Sequence, residues 1–172
     1  RKVCRMERLV RLVSVLALLF LIAGPAAIAE EVKTPCDELT LGPVEDPTAY
    51  QAFRRLRKTT PATSEYQRAR IDYLIERTRE SSVEFIRNGV THTSQQAAAH
   101  MRYKYARYRS DAPTAEAFVV SIASRSRKTG RSYLVKIGTE TCELRVVLFN
   151  ELGLLDRLLE EQRERTDSQL IS

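Results

Sequence analysis

The apolar positions of this 172-residue chain recur with changing period, and each change marks the edge of an element. Leu12 to Ala23 is apolar apart from Ser14, follows five cationic side chains, and stops at Gly24-Pro25. A run of about a dozen apolar residues falls short of the roughly 20 needed to cross a bilayer core. In "AAIAEE" the small residues Ala27 and Ala29 stand where a signal peptidase reads. The pattern predicts a secretory leader over residues 1–29, cleaved after Ala29, and no transmembrane anchor once it has gone. Cys36 stands too far from the apolar run for a lipid anchor. The chain opens on Arg1, and Met6 is an alternative start.

Residues 30–62 are rich in proline and charge ("TPCDELTLGPVEDPT") and predict a linker-like extension with one short helix, Thr48 to Lys58. The "FRRLRK" run in it reads as a solvated helix face rather than a lipid or glycan site. Ser64 with Gln67 forms a capping-box signature. Ile71, Leu74, Ile75 and Thr78 then recur at helical spacing, which predicts a helix from about Glu65 to Glu80. In "SVEFIRNG" the period shortens, and Val83, Phe85 and Ile86 suit a short strand ending at the tight-turn pair Asn88-Gly89.

A second box, Thr93 with Gln96, opens a helix to about Arg109. On it Ala97, Ala98, Met101, Tyr105 and Tyr108 share one face, and His100, Tyr103, Lys104 and Arg107 the opposite one. "SDAPTAEAF" caps a third helix, lined by Ala115, Phe118, Val119 and Ile122 and stopped at Gly130. Ser132 to Ile137 alternates as a strand, with Tyr133, Val135 and Ile137 on one face. Leucines from Leu144 to Leu159 form a closing helix to about Arg163, and the polar residues 166–172 predict a disordered tail. The expected fold is a small α+β domain over residues 63–165, with about four helices and a short two- to three-stranded antiparallel sheet.

The whole chain carries a net charge of +6, but without the leader 23 basic side chains face 21 acidic ones, a net +2. So small a charge is weak ground for nucleic-acid binding. "MRYKYARYR" interleaves aromatics with basic residues as single-strand binders do. Helical geometry sends Met101, Tyr105 and Tyr108 to the core face, which breaks that pattern, and no nucleic-acid partner is predicted. Cys4 leaves with the leader, so Cys36 and Cys142 remain as a candidate disulfide in an oxidising compartment, with free or intermolecular thiols as the alternatives.

His92 and His100 lack the spacing and the acidic neighbours a metal site needs, so no metal is predicted. A nucleophile could be drawn from Cys142 with His100, but a disulfide removes that thiol. The stronger enzyme candidate sets His100, assisted by Lys104, as base for Ser124 or Ser126, whose alternative role is bonding helix carbonyls. No Gly-x-Ser-x-Gly elbow supports it. Asn88 and Gly89 suit a tight turn. Arg87 either pairs with Glu80, Glu84 or Glu116, or joins His100, Lys104 and Arg107 around an anion.

"FIRNG", "AAAHMRYKY" and "TAEAFVVSIASRSRKTGRSYLVKI", followed by a leucine-rich closing helix, resemble the YfeK-like family of small exported bacterial proteins of unknown function. The similarity spans roughly Tyr66 to Leu159. It implies a signal peptide and a home in the periplasm or cell envelope of a bacterium, and it supplies no reaction. The resulting expectation is a non-catalytic envelope module that recognises an anionic group on a glycan, peptide or protein partner, without a cofactor. Its expected ligand-binding residues are Arg87, Asn88, His100, Arg102, Lys104 and Arg107. The alternative is a small periplasmic hydrolase using His100 with Ser124 or Ser126.

Overall fold

The computed structural model describes residues 34–171, with side chains through Gln169, and the expected leader lies outside them. Helix α1 (Gln51–Leu56) and the long α2 (Ser64–Glu80) precede a hairpin of β1 (Glu84–Arg87) and β2 (Val90–His92). Helices α3 (Ser94–Arg107) and α4 (Ala115–Phe118) lead to a second hairpin, β3 (Leu134–Ile137) and β4 (Glu140–Glu143), and α5 (Leu144–Ile171) closes the chain. The α+β expectation holds, with one antiparallel sheet of order β2-β1-β3-β4. That sheet has four strands rather than two or three, because β2 is only three residues long and β4, Glu140–Glu143, has Cys142 as its one apolar position. Both are hairpin returns, the first set by Asn88 (φ 53°) and Gly89 (φ 83°), whose left-handed backbone fits a two-residue turn.

Phe85 lies opposite both His92 and Val135, and Val135 opposite Cys142. Opposed residues share a sheet face and side chains alternate along a strand. The row therefore points to the helices together with Arg87, two positions beyond Phe85. Helix α2 packs between α1 and α3, and buries Ile71, Tyr73, Leu74 and Ile75. Thr63, not Ser64, is its cap, accepting from the Tyr66 N–H at 3.1 Å. The Thr93–Gln96 box at α3 forms as expected, with bonds of 3.3 and 3.0 Å.

Three stretches depart from expectation. The third helix is regular only through Phe118, widens into a π-helical turn over Val119–Ala123, and ends well before Gly130. The Ser124 hydroxyl donates to the Val119 carbonyl at 2.6 Å, and the Tyr133 N–H bonds the Ser124 carbonyl at 2.8 Å. Side-chain bonding to a helix carbonyl and strand-like pairing of Arg125 with Ser132 take the backbone out of the helical ladder.

The extension is not a linker. From residue 34 it belongs to the same compact unit and buries Leu41, Ala52, Phe53 and Leu56. Cys36 is bonded to Cys142 with their Cα atoms 5.7 Å apart. The Asn150 amide donates to the carbonyls of Cys36 (2.9 Å) and Leu39 (2.8 Å). Glu151, fully buried, accepts from Arg77 Nε (2.9 Å) and Nη2 (3.0 Å) and from the Leu41 N–H (2.6 Å). Arg77 in turn donates to the Tyr50 hydroxyl at 2.8 Å and the Gly42 carbonyl at 2.5 Å.

The C-terminal helix also continues to Ile171, past the point where a disordered tail was expected. Exposed ion pairs, Arg163–Glu160 and Arg165–Glu161, and the Thr166 and Ser168 hydroxyls bonded back to Gln162 and Glu164 sustain it. No described helix is long and apolar enough to cross a membrane.

Candidate functional site

Arg87, His100 and Lys104 line one cleft between α3 and the inward face of the sheet. Its floor is buried and largely apolar, formed by Phe85, Met101, Ala123 and Leu144 with Lys104 and Tyr133 among them. Its rim is more open and polar, with Arg87, His92, Gln96 and His100. The enclosed space is about 30 Å³, where a water needs roughly 10–15 Å³.

Lys104 is not on a solvent face. At 100° per residue it lies only about 60° around α3 from Met101, and α3 is gripped by α2 on one side and by the sheet and the π-helical turn on another. Its side chain is 4% exposed. The ammonium donates to the Ile122 carbonyl and, at 2.8 Å, to the Arg125 carbonyl, and it lies 5.2 Å from the centre of the Tyr133 ring. Those carbonyls are left without helical donors where the third helix unwinds, and a cation suits a helix C-terminus. Burial, then the charges of Arg127 and Arg87, push the Lys104 pKa down to about 8, so it remains an ammonium at neutral pH.

His100, half-buried, packs against Tyr133 with ring centres 6.4 Å apart. Burial, followed by Arg87, Lys104 and His92, lowers its pKa to about 4. At pH 7 it is a neutral imidazole with one N–H to donate. Tyr133 is shifted the other way, raised by burial against the opposing influences of Arg87 and Ser126.

Arg87 has no ion-pair partner among the described residues. Of the three acids considered for it, Glu80 pairs with Arg79 at 2.8 Å, Glu116 with Arg70 at 2.5 Å, and Glu84 is exposed on the outward side of β1. None of the described residues that line the cleft is a carboxylate.

The other expected residues lie elsewhere. Asn88 accepts a bond from the Thr129 hydroxyl at 3.0 Å, tying the β1–β2 turn to the loop after α4. Arg102 is exposed beside Arg79 and Tyr103 in a separate groove, and Arg107 is exposed and does not line the cleft. Ser124 is buried and bonded to Val119, and the Ser126 hydroxyl accepts from the Thr129 N–H at 3.3 Å. Neither serine lines the cleft, so no base–nucleophile pair with His100 is assembled. Cys142 is oxidised. Among the described residues no group of three or more His, Cys, Asp or Glu could hold a metal ion.

A family described as "Family of unknown function (DUF5329)" matches residues 65–156, more than half of the 172-residue chain. The chain belongs to this family. It is also 35% identical, over 69 residues, to the uncharacterized protein YfeK of Salmonella typhimurium strain LT2. That alignment covers 40% of this chain and 58% of the relative, so the chain spans well under two thirds of YfeK's length. No solved structure matches it. The resemblance seen in "FIRNG" and "AAAHMRYKY" is therefore shown at the level of family.

All the cleft residues named above fall within the DUF5329 match, whereas the extension that bears Cys36, Leu41 and Phe53 precedes it. Two contributors went unrecognised in the sequence. Tyr133 reads only as a core position of an alternating strand, and His92 only as a failed metal ligand. Their part in the cleft follows from β3 and β2 both pairing with β1, a neighbourhood that local periodicity does not encode.

Proposed function

We propose that this member of DUF5329 is an exported, non-catalytic binding module of the bacterial envelope. It takes an anionic group of a glycan, peptide or protein partner in the cleft between α3 and the sheet. The observation that carries the proposal is Arg87: a half-buried guanidinium that has neither an ion pair nor a lining carboxylate among the described residues, in one cleft with His100 and the Lys104 ammonium. Uncompensated positive charge in a partly desolvated cleft is costly until an anion enters, and a guanidinium is the side chain suited to bind one in two-point fashion. Lys104 contributes charge from below, since two of its protons are committed to carbonyls. Export is supported by the leader pattern of residues 1–29 and by the Cys36–Cys142 bridge, a bond typical of oxidising compartments.

The test is a titration of isotopically labelled protein with sodium acetate, against chloride at matched ionic strength. Saturable shifts at Arg87, His100 and Tyr133 are expected, abolished by Arg87→Ala and weakened by added salt. Shifts that never saturate, or that persist in folded Arg87→Ala, would sink the proposal.

A further inference from the structure

The cleft's shape and its count of free donors narrow the anion that it holds. We infer that the cleft takes a carboxylate bearing a short apolar substituent, as on a small terminal residue of a peptide or a short-chain acid, and not a phosphate or a sulfated sugar. This inference rests on the anion-binding reading of the same site.

The first argument is the donor inventory. Lys104 spends two of its three N–H groups on the Ile122 and Arg125 carbonyls and directs its charge at the Tyr133 ring. His100, neutral at pH 7, has a single N–H. Arg87 supplies a fork of parallel donors. The resulting set, one fork and one or two single donors including the Gln96 amide, matches the two oxygens of a planar carboxylate. A phosphate offers three strong acceptor oxygens and nearly two charges, and among the described residues that line the cleft Arg87 is the one guanidinium to meet them.

The second argument is the division of the walls. Beneath the polar rim the floor is Phe85, Met101, Ala123 and Leu144, all buried. A bare polar anion would leave that apolar surface against water, whereas a methyl or ethyl group attached to the carboxylate would cover it. The space at the cleft, about 30 Å³, matches a substituent of one or two carbons better than an aromatic ring. Burial of one or two such carbons is worth about 0.8 kcal/mol each, several-fold in affinity per carbon.

The experiment compares acetate, propionate, N-acetyl-alanine, N-acetyl-alanyl-alanine and its C-terminal amide, N-acetyl-phenylalanine and inorganic phosphate on the disulfide-bonded protein. Binding is followed by NMR shifts at His100 and Tyr133. Propionate or the alanine-terminated compounds should bind at least three-fold tighter than acetate and ten-fold tighter than phosphate or N-acetyl-phenylalanine. The amide should not bind, and Arg87→Gln should abolish binding by all. The dipeptide binding ten-fold tighter than propionate assigns the ligand to a peptide end, and equal affinities assign it to a free acid. Phosphate binding as tightly as propionate, with both lost in Arg87→Gln, overturns the carboxylate inference and leaves the anion site standing. Saturable binding of none of the probes overturns both.

Discussion

The strongest energetic prediction concerns Glu151, the buried carboxylate that fastens the N-terminal segment to the DUF5329 core. Glu151→Ala leaves the Arg77 guanidinium buried, still bonded to Tyr50 and the Gly42 carbonyl, but without its counter-charge. It also strips the Leu41 N–H of its acceptor. Breaking one partner of a buried pair costs about 3–5 kcal/mol, and a buried orphaned N–H adds roughly 1–3 kcal/mol. Against a total stability of about 5–15 kcal/mol for a domain, the variant should be severely destabilised. Urea denaturation followed by circular dichroism, with the disulfide intact, measures the loss. The double variant Arg77→Met/Glu151→Leu removes both charges, and apolar replacement of a buried pair is commonly neutral. It should therefore lose only the bonds to the Leu41 N–H, the Gly42 carbonyl and the Tyr50 hydroxyl, about 1–3 kcal/mol, and be more stable than Glu151→Ala alone. A double variant whose loss equals the sum of those of Arg77→Met and Glu151→Leu alone, or a Glu151→Ala cost below about 1 kcal/mol, would refute the buried clamp.

Reduction of the Cys36–Cys142 bridge, 106 residues apart in sequence, should lower stability by up to about 4.7 kcal/mol in the chain-entropy treatment. An intact mass that does not change on reduction would show that the bridge does not form. Lys104→Met should destabilise the protein by about 1–3 kcal/mol by orphaning the Ile122 and Arg125 carbonyls, with loss of amide protection at residues 119–126 in hydrogen exchange. Unchanged protection there would exclude Lys104 as the cap of that turn. His100 should titrate near pH 4 rather than 6.5. Because the folded state binds this proton less well than the unfolded state, His100 should cost stability as pH falls from about 6.5 to about 4 and add no further loss below that. The slope should be present in the difference between wild type and His100→Gln, and an NMR midpoint at or above 6.5 would contradict the desolvated cleft.

Much of the local structure was legible because local rules set it. The 3.6-residue stripes of α2 and the closing helix, the Thr93–Gln96 box and the left-handed Asn88-Gly89 turn each depend on residues a few positions apart. The same locality explains the failures. A helical wheel sets Lys104 opposite the core face because it distinguishes two sides, whereas α3 is covered along two flanks and this intermediate position becomes a cap for carbonyls 18 and 21 residues on. The extension looked like a linker because proline and charge suppress regular structure. Its anchors, Cys142, Asn150 and Glu151, lie more than 100 residues beyond Cys36, Leu39 and Leu41.

The sequence by itself determined which stretches are helical, where the first hairpin turns, the family, and the two cysteines with one intramolecular pairing open to them. Only the tertiary structure decided that Arg87 lacks a carboxylate among the described residues while Glu80 and Glu116 are taken by Arg79 and Arg70. It alone also committed the Ser124 hydroxyl to the Val119 carbonyl and the Ser126 hydroxyl to the Thr129 N–H, and set Tyr133 against His100. Charge pairing and cleft formation depend on which elements become neighbours. That choice is made by burial of apolar faces over the whole chain, not by the pattern within any one of them.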